Sequence, residues 1–285
     1  MKETILTFLK KWTRPVLLTL AVATLGELPA HALYQAGQTV TNNFYFIARR
    51  AFTRPDGAFV PAGARVYLHD FAGRVVFFEW FAVWCPYCIA AAPQVETGIV
   101  DWYEARGGNP FGVSVVHVAV NQVSESFYQP QTDNFITQQG FGITVNDYEG
   151  NVINSVRYQF ITGGQPLFVV INGVTNSPSH LPWQILVNYQ GYGQTDFNQT
   201  LAGFRTLIDA VQGPVNPAQL TAPRRVGNDF EFSLTTQLNR NYRVQTSSDL
   251  VNWATLRTVT GSTNTVLFRE TNAPPSNRFY RAVTP

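Results

Sequence analysis

The chain has 285 residues, 45% of them hydrophobic and 14% aromatic, with 20 Lys and Arg against 18 Asp and Glu. That is enough apolar material for one large or two ordinary packed cores. The formal charge of +2 comes entirely from residues 1–32, where Lys2, Lys10, Lys11 and Arg14 outnumber Glu3 and Glu27, so no basic footprint for nucleic acid or an anionic membrane is expected elsewhere.

Residues 1–32 read as a secretory signal. The basic opening leads into the apolar run 15–26, and Ala30, His31 and Ala32 form the small-x-small pattern of a signal peptidase site, with cleavage expected after Ala32. The apolar run is about a dozen residues, against roughly 20 for a bilayer span. A periplasmic or extracellular protein follows, with membrane contact only if the segment is retained.

From residue 44 to about 212, strand-like and helix-like segments alternate. Residues 74–81 read as a buried strand, 85–105 as one helix, 113–120 as a strand and 132–139 as a short helix. Residues 166–171 and 185–189 read as strands, and 196–211 as an amphipathic helix with Phe197, Leu201, Phe204, Leu207, Ile208 and Val211 on one face. This order predicts an α/β domain over residues 33–212, a mixed sheet with crossover helices.

Residues 213–219, rich in Pro and Gly, read as a linker. Short alternating segments at 230–234, 241–246, 254–260, 265–269 and 278–283 then predict a small all-β sandwich of the immunoglobulin or fibronectin kind over residues 220–285. Tyr242 and Trp253 are expected to fill its core, and Arg243, Arg257, Arg269 and Arg281 to face solvent.

Both cysteines, Cys85 and Cys88, lie in the run FFEWFAVWCPYCIAAAP, residues 77–93. A disulfide between them would close so small a loop that it hardly constrains the unfolded chain. Structural zinc wants four ligands, and His69, His117 and His180 are scattered; His117, on an apolar strand, is expected to be a packed core residue. A redox centre fits better. With Cys85 at the start of a helix, unpaired backbone N–H groups and the helix dipole favour its thiolate and make it the attacking sulfur. Cys88, one turn later and more buried, is then the resolving thiol, and Pro86 suits the first turn because its missing N–H has no partner to lose.

The segment Trp84-Cys85-Pro86-Tyr87-Cys88 after a buried strand resembles the active site of the thioredoxin superfamily. Glu79, six residues before Cys85, falls where that family carries a buried acid; Pro93, eight after, falls at its helix-kinking proline. Gln165-Pro166 falls at its cis-proline loop. The exported context and the insertion before that proline resemble the TlpA-like redoxins of bacterial envelopes, over roughly residues 60–212. Two departures stand out: Gln165 replaces the Thr or Val common before the cis-proline, and the Pro-Tyr dipeptide matches glutaredoxins, although glutathione dependence does not follow.

The resemblance implies thiol-disulfide exchange by Cys85 and Cys88, with Glu79 relaying the proton of Cys88. Trp84, Pro86, Tyr87, Gln165 and Pro166 are expected to face the substrate, Trp80 to pack in the core and Trp84 to sit at the rim. The partners implied are protein thiols or disulfides and a redox partner protein, with no cofactor and no metal. Two alternatives stay open: a metal-handling protein using both thiolates and His180 for copper, and a surface binding module in which the redoxin is a scaffold. No Pro-x-x-x-Thr-x-x-Cys pattern supports peroxidase activity.

Overall fold

A computed structural model describes residues 33–161, 163–193, 196–275 and 277–284. The signal-segment reading of residues 1–32 lies outside the described residues. Among the described residues no helix is long and apolar enough to cross a membrane.

A seven-stranded mixed sheet organises the first part. Its strands are β1 (Tyr45–Ala48), β2 (Arg65–Tyr67), β3 (Val75–Phe81), β4 (Val115–Asn121), β5 (Thr144–Asn146), β6 (Leu167–Asn172) and β7 (Ile185–Gln190). They lie in the order β7-β6-β3-β4-β5-β1-β2. β3, β4 and β5 run parallel, whereas β6 lies antiparallel to β3 and β1 antiparallel to β5.

All seven residues of β3, VVFFEWF, are buried because both faces of the sheet are covered. Val76, Phe78 and Trp80 point into one core with Phe46, Phe71 and Phe160. Val75 and Phe77 point into the other, against Ala91, Val95, Leu201 and Phe204. Glu79 shares this second face by strand alternation, and is the one charged residue in the strand.

The expected single helix over residues 85–105 is three pieces. α1 (Pro86–Val95) is followed by a π-helical turn at Glu96–Val100 and by α2 (Asp101–Glu104). Pro93 inside α1 supplies no backbone N–H, so the ladder is already interrupted one turn before the wider turn begins. Gly98 lets this turn approach the last helix of the sheet domain: a Cβ there would sit 2.8 Å from Leu201 Cδ1. α3 (Gln129–Gln139) begins three residues earlier than its apolar spacing suggested, and α4 (Phe197–Asp209) is capped by Asp196, which accepts from Asn198 N at 3.0 Å. Leu207, expected on the buried face of α4, is 45% exposed, since the stripe Phe197, Leu201, Phe204, Ile208 leaves it at the margin.

The second part has six strands rather than five: β8 (Leu220–Val226), β9 (Asp229–Thr235), β10 (Asn241–Ser247), β11 (Ala254–Thr260), β12 (Thr265–Glu270) and β13 (Phe279–Val283). They form two three-stranded sheets, β8-β9-β12 and β11-β10-β13. Phe232, Leu234, Tyr242, Val244, Val259 and Phe268 fill the core. Tyr242 is fully buried, as expected. Trp253 is not a core residue: it is half-buried in the loop before β11, donates to Leu250 O at 3.1 Å and lies under the Arg281 guanidinium at 4.2 Å. β8 is an edge strand exposed along nearly its whole length, LTAPRRV, with a register shift between Thr221 and Arg224. The four arginines Arg243, Arg257, Arg269 and Arg281 are exposed.

Candidate active site

Cys85 is the N-cap of α1, its backbone extended at φ −89° and ψ 110°. Its Sγ accepts the Cys88 N–H at 3.3 Å, so the thiol supplies a cap to an otherwise unpaired helix donor. Pro86 occupies the first helical position, where no N–H is missed. Cys85 is 5% exposed and Cys88 fully buried, which sets the first as the reachable sulfur and the second as the one beneath it. Both thiols are free.

Strand pairing delivers the rest. Leu167 of β6 pairs with Trp80 of β3, which carries the preceding Gln165-Pro166, a cis peptide, to the loop that ends in Trp84. The Gln165 carbonyl lies 3.6 Å from Cys85 Sγ and accepts its S–H. Trp84 and Tyr87 are 55% and 61% exposed on either side, so a buried sulfur is ringed by open aromatic surface. Trp80 is fully buried, as expected.

Glu79 is fully buried on the face covered by α1. Its Oε2 lies 3.1 Å from His117 Nε2, across the parallel β3–β4 pair, while Oε1 has no hydrogen-bond partner among the described residues. Burial foremost pushes the Cys88 thiol well above the usual thiol range, and the charges of Cys85 and Glu79 push it the same way. His117 itself borders a cavity of about 390 Å³, shared with Glu96, Glu104 and Ile143, and burial raises the Glu96 carboxyl. The buried acid is thus joined through His117 to a cavity under the π turn. His117 was expected merely to pack; it does so, edge-on to Phe77 and Phe141, and in addition holds the acid.

Sequence reasoning missed a second set. Asp147, just after β5, is fully buried and accepts from Trp80 Nε1 at 3.1 Å, Gln122 Nε2 at 3.3 Å, Val156 N at 3.2 Å and Arg157 N at 3.0 Å. Burial pushes its carboxyl up to about 6 despite these donors. Gln122 in turn accepts from the Gln165 side-chain amide. Beside them a groove of about 350 Å³ is lined by Trp84, Gln122, Glu125, Arg157, Tyr158 and Gln165. No local signal in the sequence joins these residues, which come from four separate loops; only the strand register brings them together.

His180 follows β6 at its Asn172 end. That end pairs with Val75, at the opposite edge of β3 from the cysteines, so the proposed thiolate and imidazole copper set does not assemble.

No protein-family model matches the chain, and no curated protein matches it. Solved structures do. The thioredoxin domain of a thiol-disulfide oxidoreductase from Bacteroides vulgatus is similar over 60% of this chain and 98% of its own, at 14% identity and a TM-score of 0.41. A thiol:disulfide interchange protein from Bacteroides sp. covers 61% of this chain and 91% of its own, at 10% identity and a TM-score of 0.40. StoA from Bacillus subtilis covers 58% and 98%, at 19% identity and a TM-score of 0.36. The strand order, the cysteine pair at the head of the helix after the central strand, and the cis-proline facing it make the fold of this part thioredoxin-like, with an all-β module after it.

Proposed function

We propose that the protein is an exported thiol-disulfide oxidoreductase working through Cys85 and Cys88. The observation that carries this is the Cys85 sulfur at the N-cap of α1, facing the Gln165 carbonyl with Cys88 buried one turn behind. The domain boundary is placed at residues 213–219, with the sandwich as a separate module, and the basic-apolar opening of the chain is the ground for placing it in the periplasm or outside the cell.

In the reducing direction the Cys85 thiolate attacks a substrate disulfide, forming one S–S bond and expelling a substrate thiolate. Cys88 gives its proton to Glu79 and attacks the Cys85 sulfur, so the second substrate thiolate leaves and an 85–88 disulfide remains. The substrate gains two electrons and the protein loses two; the reverse sequence oxidises a dithiol. Glu79 suits the proton acceptor because it is buried on the face covered by the helix that carries Cys88, its charge acts on that thiol, and it has one oxygen on His117 and the other unpartnered. Trp84, Pro86, Tyr87, Gln165 and Pro166 form the face a substrate chain meets.

The test is insulin-disulfide reduction. Cys85→Ser is expected to abolish it, whereas Cys88→Ser accumulates mixed disulfides at Cys85. Equal residual activity in the two variants would overturn the assigned roles.

A further inference from the structure

Arg157 stands out against every other cation among the described residues. It is 7% exposed, its Nε is buried without a hydrogen-bond partner, and it enters none of the ion pairs among the described residues. Its guanidinium lies 5.2 Å from the centre of the Tyr158 ring. Asp147, buried and bonded to the Arg157 backbone, forms no ion pair with the guanidinium: its carboxylate takes the Arg157 backbone N–H and three other donors instead. A guanidinium this nearly enclosed, with its Nε buried and unpartnered, is costly unless something anionic completes it from the groove side.

The side chain lines the groove that starts at Trp84 and Gln165, the residues flanking the reactive sulfur. The opposing charge there, Glu125, is exposed, where solvent screens it. A guanidinium offers paired N–H donors in the geometry of a carboxylate.

We propose that this groove selects disulfide substrates carrying an acidic side chain close in sequence to the reacting cysteine, the carboxylate being received by Arg157. The inference rests on the oxidoreductase reading for the substrate's sulfur, and adds the chemistry of its flank. The groove begins at the residues beside Cys85, so the carboxylate that enters belongs to a near neighbour of the substrate cysteine and not to a remote patch.

The experiment compares disulfide-linked synthetic peptides with blocked ends that carry Glu, Gln or Lys beside the cysteine, together with a Gln peptide whose C-terminal carboxylate is free. Single-turnover reduction by the wild-type protein is expected to favour Glu over Gln by about tenfold, the scale of one charge-assisted pair, with Lys slowest and the preference shrinking in high salt. Arg157→Gln is expected to bring the Glu to Gln ratio to about one. Because Arg157 is buried, Arg157→Lys serves as a second variant, expected to keep a reduced preference for Glu.

Binding of the same peptides to the Cys85→Ser, Cys88→Ser double variant, by calorimetry, reads the groove without redox chemistry. Equal rates and equal binding for Glu and Gln overturn this inference and leave the oxidoreductase reading standing. Tighter binding of the Glu peptide with no reduction of any peptide overturns that reading and supports the groove. An advantage confined to the free-terminus peptide overturns the side-chain assignment in favour of a chain end.

Discussion

Glu79 and His117 make one unit, and their separate removal should read differently. With Glu79→Gln, no base sits beside Cys88, so resolution of the mixed disulfide is expected to slow by about a hundredfold and to accelerate with rising pH as solvent hydroxide takes over. His117→Phe, which fits among Phe77 and Phe141, leaves the acid in place but without its partner; it should slow the same step less, while initial attack by Cys85 is preserved. Stopped-flow measurement of the two phases checks this, and an unchanged second phase in Glu79→Gln would remove Glu79 from the mechanism. Spacing from the cysteines made Glu79 and Pro93 legible in the sequence, and its place just before a strand did the same for Pro166. His117 was not, because nothing local says that β4 lies parallel to β3 with His117 beside Phe77, on the face that carries Glu79.

At the scale of elements, the loops that present Gln165 to the sulfur depend on Asp147. Its folded carboxyl, pushed up to about 6 by burial, lies above the unfolded value of 3.8, so the folded state holds the proton more tightly. The stability this contributes is present below the unfolded value and is lost as pH rises through about 6. Asp147→Asn is therefore expected to gain on the wild type between pH 4 and 7 by an amount on the order of 3 kcal/mol, on top of a constant offset from its misplaced amide hydrogens. Chemical denaturation of both proteins across that range measures it; parallel curves would refute the assignment. The helical break after Val95 was hidden for a different reason. Apolar spacing continues through Ile99 and Tyr103, and only the register of Pro93 against the π turn shows the interruption, whose residues Glu96, Ile99 and Val100 line the cavity beside His117.

At the scale of the whole molecule, the β8–β13 core is filled by its own residues, Phe232 to Phe268, and the hydrogen bonds joining it to the sheet domain are polar: Asn239 to the Pro110 carbonyl, and Arg240 Nη1 to Gln212 Oε1 at 3.2 Å. Polar links of this kind transmit little cooperativity. Calorimetry of the full chain is expected to show two transitions, with Cys85 and Cys88 oxidation shifting one of them alone; a single transition would merge the proposed domains. The sandwich was legible from its alternating strands, but β8 was not, since Pro223, Arg224 and Arg225 obscure the pattern of a strand that sends only Leu220 to the core.

That same strand has a bearing on solubility. An open strand edge is a template on which other chains can add. In β8 the proline lacks a donor, the two arginines repel a neighbouring copy, and the register shift bends the edge away from a straight ladder. Restoring a regular Val-Thr repeat there would leave the redox centre untouched and turn the outer rim of the module into a seed for fibrils.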